Sequence, residues 1–119
     1  MFFRIRAILA LSFLALAPIP ALAHAILLDG TPAAGQTLPV GTLSVALRFN
    51  SRIDAARSRL TLVRGGGSRV LAIASGETPD KVVAEAELAP GPQVLRWQVL
   101  AVDGHITRGE IRFTAGAAR

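Results

Sequence analysis

Beyond the first two dozen residues, large apolar side chains recur at every second position. The clearest case is the segment Leu43 to Phe49, in which large apolar residues alternate with small or polar ones. This period of two is typical of a β-strand with one face in the core and the other toward water. Further strands are predicted at Ile26 to Leu28, Arg59 to Val63, Val70 to Ile73, Lys81 to Leu88, Leu95 to Ala101 and Glu110 to Phe113.

Six or seven short strands with turn signals between them predict an all-β fold. We expect a Greek-key β-sandwich or barrel of about seven strands, of the immunoglobulin-like or cupredoxin-like kind. The segment Asp54 to Ser58 could form one helical turn. The run Gly65-Gly66-Gly67-Ser68 lacks the Gly-Lys-Ser/Thr ending of a phosphate-binding loop, so we interpret it as a hairpin turn.

Residues 1–23 follow a different pattern. Arg4 and Arg6 precede an apolar run from Ala7 to Ala17, and the small residues Ala21 and Ala23 follow at the positions expected for a cleavage site. This layout is that of a secretory signal peptide. A membrane anchor is the alternative, but an apolar run of about 11 residues is shorter than the roughly 20 that span a bilayer. We therefore expect cleavage after Ala23 and export of a mature domain comprising residues 24–119.

Composition excludes several classes of protein. The chain has no cysteine, so neither a disulfide scaffold nor a cysteine-ligated zinc or iron–sulfur centre is possible. Of the formal net charge of +5, two positive charges belong to the signal segment. The remaining arginines form no continuous run and have few aromatic neighbours, so we expect no nucleic-acid binding. No second apolar stretch reaches membrane length, and the mature chain should be soluble.

The last two predicted strands are joined by a loop that contains Asp103-Gly104-His105. A two-residue turn would place Trp97 opposite Glu110 and mix core-facing with polar side chains, which is disfavoured. A three-residue loop, Asp103-Gly104-His105, instead places the apolar residues of one strand opposite those of the other. The predicted pairs are Trp97 with Ile111, Leu95 with Phe113, and Val99 with Gly109. This loop, or a longer one in the same register, places Asp103 and His105 at an edge of the sandwich.

The two histidines of the chain suggest a metal site. Cleavage after Ala23 would make His24 the N-terminal residue, so its α-amine and imidazole could bind one metal together. The imidazole of His105 could add a third nitrogen, and such a planar nitrogen set suits Cu(II) best. Asp103 could be a weak axial ligand, or an acceptor that orients the amine or an imidazole. Either histidine alone would more often be a frayed terminus or an ordinary turn residue.

Several segments match one known family over essentially the whole mature chain. They are His24 to Leu27, Thr31 to Gly35 with the following strand, Pro90-Gly91, and Val94 to His105 with Gly109 and Phe113 beyond. In these segments the chain resembles the CopC copper-resistance proteins of the bacterial periplasm. The resemblance implies a cupredoxin-like sandwich that binds Cu(II) through His24, Asp103 and His105. Some members add a methionine-rich Cu(I) site, but the only methionine here is Met1, so we expect Cu(II) alone.

These observations predict a periplasmic Cu(II)-binding protein for copper resistance or homeostasis, which sequesters or transfers the ion and is not an enzyme. We expect a monomer. The resemblance also implies a separate inner-membrane partner of the CopD type. Because the α-amine must lose its proton to bind the metal, affinity should rise as the pH approaches about 8.

Two other classes of protein remain as alternatives. A copper-dependent oxidative polysaccharide-cleaving enzyme uses the same kind of N-terminal histidine. It is disfavoured by the small size, the absence of tyrosine, and the core-facing positions predicted for the mature aromatic residues Phe49, Trp97 and Phe113. In a metal-free immunoglobulin-like interaction module, both histidines would be incidental.

Overall fold

The computed structural model describes residues 25–116, and these residues form a two-sheet sandwich. The predicted signal peptide and His24 lie outside the described residues. The strands are β1 (Leu27–Thr31), β2 (Thr37–Leu38), β3 (Gly41–Phe49), β4 (Arg59–Arg64), β5 (Gly67–Leu71), β6 (Ala74–Ser75), β7 (Lys81–Leu88), β8 (Gly91–Leu100) and β9 (Ile106–Ala115). A short 3-10 turn at Ala55–Arg57 confirms the predicted helical turn.

The strands are arranged in two sheets that pack face to face. One sheet has the order β1-β3-β7-β6 and is antiparallel throughout. The other has the order β2-β9-β8-β4-β5, in which only the short β2 runs parallel to its neighbour. The predicted all-β, Greek-key-like sandwich is therefore confirmed. Seven of its strands are of ordinary length, while β2 and β6 contain two residues each.

The core is built from the alternation that the sequence predicts. On β3, Val45, Leu47 and Phe49 are buried, while the positions between them are more exposed. Phe49 at the end of β3 meets Trp97 of β8 edge to face, with ring centroids 5.2 Å apart and an interplanar angle of 67°. Such a pair adds about 0.5–1.5 kcal/mol beyond the area it buries, and this one joins the two sheets near one end of the sandwich.

The register of the β8–β9 hairpin corrects the sequence prediction by two residues. Trp97 lies opposite Gly109, not Ile111, and Leu95 lies opposite Ile111. The indole ring explains the difference, because it covers Gly109 so closely that a Cβ atom there would lie 2.3 Å from Cζ2 of Trp97. A shift of two residues leaves the same faces buried. The connecting loop therefore comprises residues 101–105, and Asp103 and His105 remain at the edge of the sandwich.

Other strand boundaries also differ from the prediction: β8 and β9 start four residues earlier than expected, and the short β2 and β6 were not predicted. The hairpin at the glycine run is confirmed, but Arg64 pairs with Gly67, so β5 starts earlier than expected. The left-handed φ of +59° at Gly65 allows this tight turn. β1 runs from Leu27 to Thr31 and carries a bulge opposite the end of β3. In residues 25–116, no helix is long and apolar enough to cross a membrane.

Candidate metal centre

Asp103 and His105 contact each other within the β8–β9 loop. The Oδ1 atom of Asp103 lies 3.2 Å from Nδ1 of His105 and accepts a hydrogen bond from the His105 backbone N–H at 3.1 Å. Chiefly through that backbone bond, and also through the imidazole, His105 lowers the pKa of the Asp103 carboxyl below its ordinary value. The two side chains are 44% and 48% exposed, so an ionised carboxylate and an imidazole are both accessible from solvent.

The local sequence produces this contact. Gly104 has a φ of +99°, a conformation that favours glycine, and its N–H donates to the carbonyl of Ala101 at 2.8 Å. The N–H of Ala101 in turn donates to the carbonyl of His105 at 2.9 Å and closes the loop. An aspartate side chain that accepts from the backbone two residues later is a common turn device. The order Asp-Gly-His therefore fixes the imidazole beside the carboxylate.

The first described residues are hydrogen-bonded to the residue that follows β3. Ile26 donates its N–H to Oδ1 of Asn50 at 2.7 Å, and Asn50 donates its own N–H to the carbonyl of Ile26 at 3.0 Å. Ala25, immediately before, is 1% exposed and packs into the core. The position of Ala25 is thus determined by a reciprocal pair of hydrogen bonds together with apolar burial.

The segment 50–54 also holds the β8–β9 loop. Val102 donates its N–H to the carbonyl of Arg52 at 3.1 Å, and Asp54 donates to the carbonyl of Leu100 at 2.9 Å. Between them, Ile53 and Ala101 form an antiparallel bridge. One short segment therefore anchors both the start of the described chain and the loop with the predicted ligands, so both lie at the same end of the sandwich.

Of the three predicted ligands, Asp103 and His105 are together, whereas His24 lies outside the described residues. Within residues 25–116, no group of three or more His, Cys, Asp or Glu side chains is arranged to hold a metal ion. The described residues thus supply a carboxylate–imidazole pair, and a third ligand would have to come from elsewhere. Sequence reasoning missed Asn50, because nothing in the pattern links a polar residue after β3 to Ile26.

Comparison with protein families identifies the class of this sandwich. The CopC domain matches residues 27–116, which is most of the chain. The protein therefore belongs to the CopC family, as its sequence motifs predicted.

Solved structures agree with this assignment. The crystal structure of CopC from Methylosinus trichosporium OB3b is 27% identical, with a TM-score of 0.70; the match covers 81% of this chain and 97% of that one. PcoC, a methionine-rich copper resistance protein from Escherichia coli, is 23% identical, with a TM-score of 0.64 over 78% of this chain and 99% of that one. The second likeness concerns the fold alone. A comparison with curated proteins gave no match.

Proposed function

We propose that this protein binds Cu(II) in the bacterial periplasm through the α-amine and imidazole of His24 and the imidazole of His105. Removal of residues 1–23 would create the amine, and the bound ion would be sequestered or handed on in copper resistance or homeostasis. The observation that carries the proposal is the placement of Ala25 and of the Asp103–His105 pair on one segment, 50–54. A residue bonded to Ala25 has its Cα about 3.8 Å from that of Ala25.

Family membership supports copper as the metal. The chain belongs to the CopC family, is similar to a CopC of solved structure, and resembles in its motifs the CopC copper-resistance proteins. The donor atoms favour the oxidised ion. Cysteine is absent and the only methionine is Met1, so the soft sulfur ligands preferred by Cu(I) would be missing after cleavage, while nitrogen ligands suit Cu(II).

The Asp103–His105 contact suggests a separate role for each residue. Because Nδ1 of His105 faces the carboxylate, we assign the other ring nitrogen, Nε2, as the atom that would bind the metal. An ionised Asp103 would accept a hydrogen bond from the N–H at Nδ1. This bond would fix the tautomer of the imidazole and the orientation of its ring. We therefore assign His105 as a ligand and Asp103 as the residue that orients it.

Accessibility is consistent with a protein that exchanges its ion. Both side chains are nearly half exposed, so a hydrated ion can approach from solvent and a recipient can approach the bound ion. In this proposal the protein is a monomer and a CopD-type membrane protein, as a separate chain, is the recipient or donor.

The burial of the aromatic residues argues against the polysaccharide-cleaving alternative. Phe49, Trp97 and Phe113, the aromatic residues of the described part of the chain, are 0%, 8% and 3% exposed. None of these three rings is therefore exposed enough to stack on a sugar. Binding without catalysis is the function that we propose.

Replacement of His105 tests the proposal directly. In a spectroscopic Cu(II) titration of the processed protein, His105→Ala should weaken binding by at least about 10- to 100-fold, because even residues that only orient a ligand cost that much. Thr114→Ala serves as the control. Thr114 is exposed and lies at the end of β9 away from the β8–β9 loop, so this variant should leave Cu(II) affinity unchanged. Equal affinity of the His105→Ala variant and the parent would contradict the proposed site.

A further inference from the structure

The outer face of the sheet β2-β9-β8-β4-β5 carries an excess of positive charge. Its register aligns two rows of outward side chains: Arg59, Gln98 and Arg108 in one, and Thr61, Arg96 and Glu110 in the next. Arg112 follows on β9. Within the described residues, the outward-facing side chains of the three central strands, β4, β8 and β9, thus include four guanidinium groups and one carboxylate.

The single carboxylate is already engaged. Glu110 pairs with Arg96 through Oε2 and with Arg112 through Oε1, both at 3.1 Å. Among residues 25–116, no carboxylate lies within ion-pair distance of Arg59 or Arg108. Arg108 instead donates from Nε to the side-chain carbonyl of Gln98 at 2.8 Å. Two exposed guanidinium groups therefore flank one glutamine without an acidic partner in this part of the chain.

These side chains surround a recess of about 330 Å³, which we call the basic groove. Its lining includes Arg59, Thr61, Arg96, Trp97, Gln98, Arg108 and Glu110. Gly109 lies between Arg108 and Glu110 on β9 and contributes no side chain. Strands lie about 4.8 Å apart, so the Cα atoms of Arg59 and Arg108, two strands away from each other, are separated by roughly 10 Å. Gln98 lies between them on β8, so a carboxylate would bind on either side of this glutamine.

The opposite sheet has a different charge pattern. The outer positions of its strands carry Asp29, Glu85 and Glu87 against Arg48 and Lys81. Arg48 is bound by Asp29 at 2.6 Å. Excess positive charge is therefore a property of one face of the sandwich and does not arise from the overall composition alone.

We propose that the basic groove is a docking site for an acidic segment of a partner polypeptide, with Arg59 and Arg108 binding its carboxylates on either side of Gln98. Guanidinium groups bind carboxylates with two parallel hydrogen bonds, which gives orientation as well as attraction. Trp97 also lines the groove, but it is only 8% exposed, so little of its indole is available for a nucleic-acid base to stack on.

The recess also favours a peptide over a lipid surface. A flat layer of headgroups would contact the rim, whereas a glutamate side chain can reach into the recess to Arg59 or Arg108 on either side of Gln98. The groove uses no residue of the β8–β9 loop, so it does not depend on copper binding. Arg108 follows His105 by three residues along the chain, a distance of roughly 10 Å, so a docked partner would lie beside the proposed copper site.

The experiment is a titration of the metal-free processed protein with a capped hexaglutamate peptide at low ionic strength, followed by NMR. We expect shifts at the groove and binding that salt weakens, since exposed ion pairs are screened. The variant Arg59→Gln/Arg108→Gln should bind about fivefold more weakly, the effect of losing two exposed ion pairs. The matched control Arg64→Gln/Arg69→Gln removes the same charge at the β4–β5 hairpin and should change binding less than twofold.

Three results would overturn the proposal. One is equal weakening by both double variants, which would show attraction to net charge alone. Another is the absence of hexaglutamate binding at millimolar concentration. The third is binding to phosphatidylglycerol vesicles without binding to hexaglutamate, which would assign the groove to a membrane. None of these results bears on Cu(II) affinity, so failure of this proposal is distinguishable from failure of the proposed metal site.

Discussion

The carboxylate of Asp103 spans the turn to His105, with Oδ1 within hydrogen-bonding distance of both the backbone N–H and Nδ1 of that residue. One oxygen atom therefore links the conformation of the loop to the orientation of the imidazole. Such a link makes the loop sensitive to the charge of Asp103 as well as to its shape.

Replacement of Asp103 by Asn should weaken Cu(II) binding. The amide keeps the shape and an acceptor for the backbone N–H, but it loses the charge that favours a proton on Nδ1 of His105. We expect a loss of about tenfold or more, the size typical of residues that orient a metal ligand. Unchanged affinity in a Cu(II) titration would show that Asp103 does not orient the ring.

Removal of the Asn50 side chain should loosen the start of the domain. Asn50→Ala leaves the N–H of Ile26 without its acceptor and should lower the free energy of unfolding by about 1 kcal/mol. Cu(II) affinity should fall as well, because Ala25 would then be held only by its burial and by the remaining backbone hydrogen bond to Ile26. Asn50→Asp retains an acceptor oxygen and is the control; urea unfolding that fails to separate the two variants would contradict this role.

A methyl group at Gly109 should damage the core. In Gly109→Ala the new Cβ would lie 2.3 Å from Cζ2 of Trp97, and forcing the indole aside should cost about 1–3 kcal/mol. Gly66→Ala adds the same methyl group in open space and should change stability by less than about 0.5 kcal/mol. Chemical denaturation of both variants measures the difference, and equal stabilities would refute the close packing of Trp97 on this glycine.

The ion pair between Asp29 and Arg48 should be visible in a pH titration. The hydrogen bond from Arg48 is the main cause that lowers the pKa of Asp29. A lowered pKa in the folded state means that the pair stabilises the fold above the ordinary Asp pKa of about 3.9 and loses this effect as the pH falls through the lowered value.

Substitution of Arg48 tests this assignment. In Arg48→Gln, the pKa of Asp29 measured by NMR should rise toward its ordinary value. Arg64→Gln, a charge change at the β4–β5 hairpin, should leave the pKa of Asp29 where it is. An unchanged pKa in Arg48→Gln would show that the guanidinium is not the cause.

Much of the fold was predictable because burial on one face of a strand imposes a period of two. The long alternating runs around Leu47 and Leu95 revealed their strands and their inward faces. The pairing of Trp97 with Gly109 was not predictable by matching apolar residues, since the choice depends on the volume of the indole. That volume requires a partner without a side chain.

The candidate site was predictable only in part, for similar physical reasons. The Asp103–His105 contact is local, so a turn sequence encodes it. The role of Asn50 depends on a hydrogen bond across 24 positions of the chain, and no local pattern specifies such a partner. The contribution of His24 depends on a cleavage event as well as on folding, and it stays a prediction.

The most direct test of the central claim compares Cu(II) titrations of the protein beginning at His24 and of a version with one alanine added before His24. The extra residue retains every side chain of the first protein but converts the α-amine of His24 into an amide. The proposed site predicts tight Cu(II) binding by the first protein and a loss of at least about tenfold in the second. Equally tight binding by both would contradict a copper site built on the N-terminal amine.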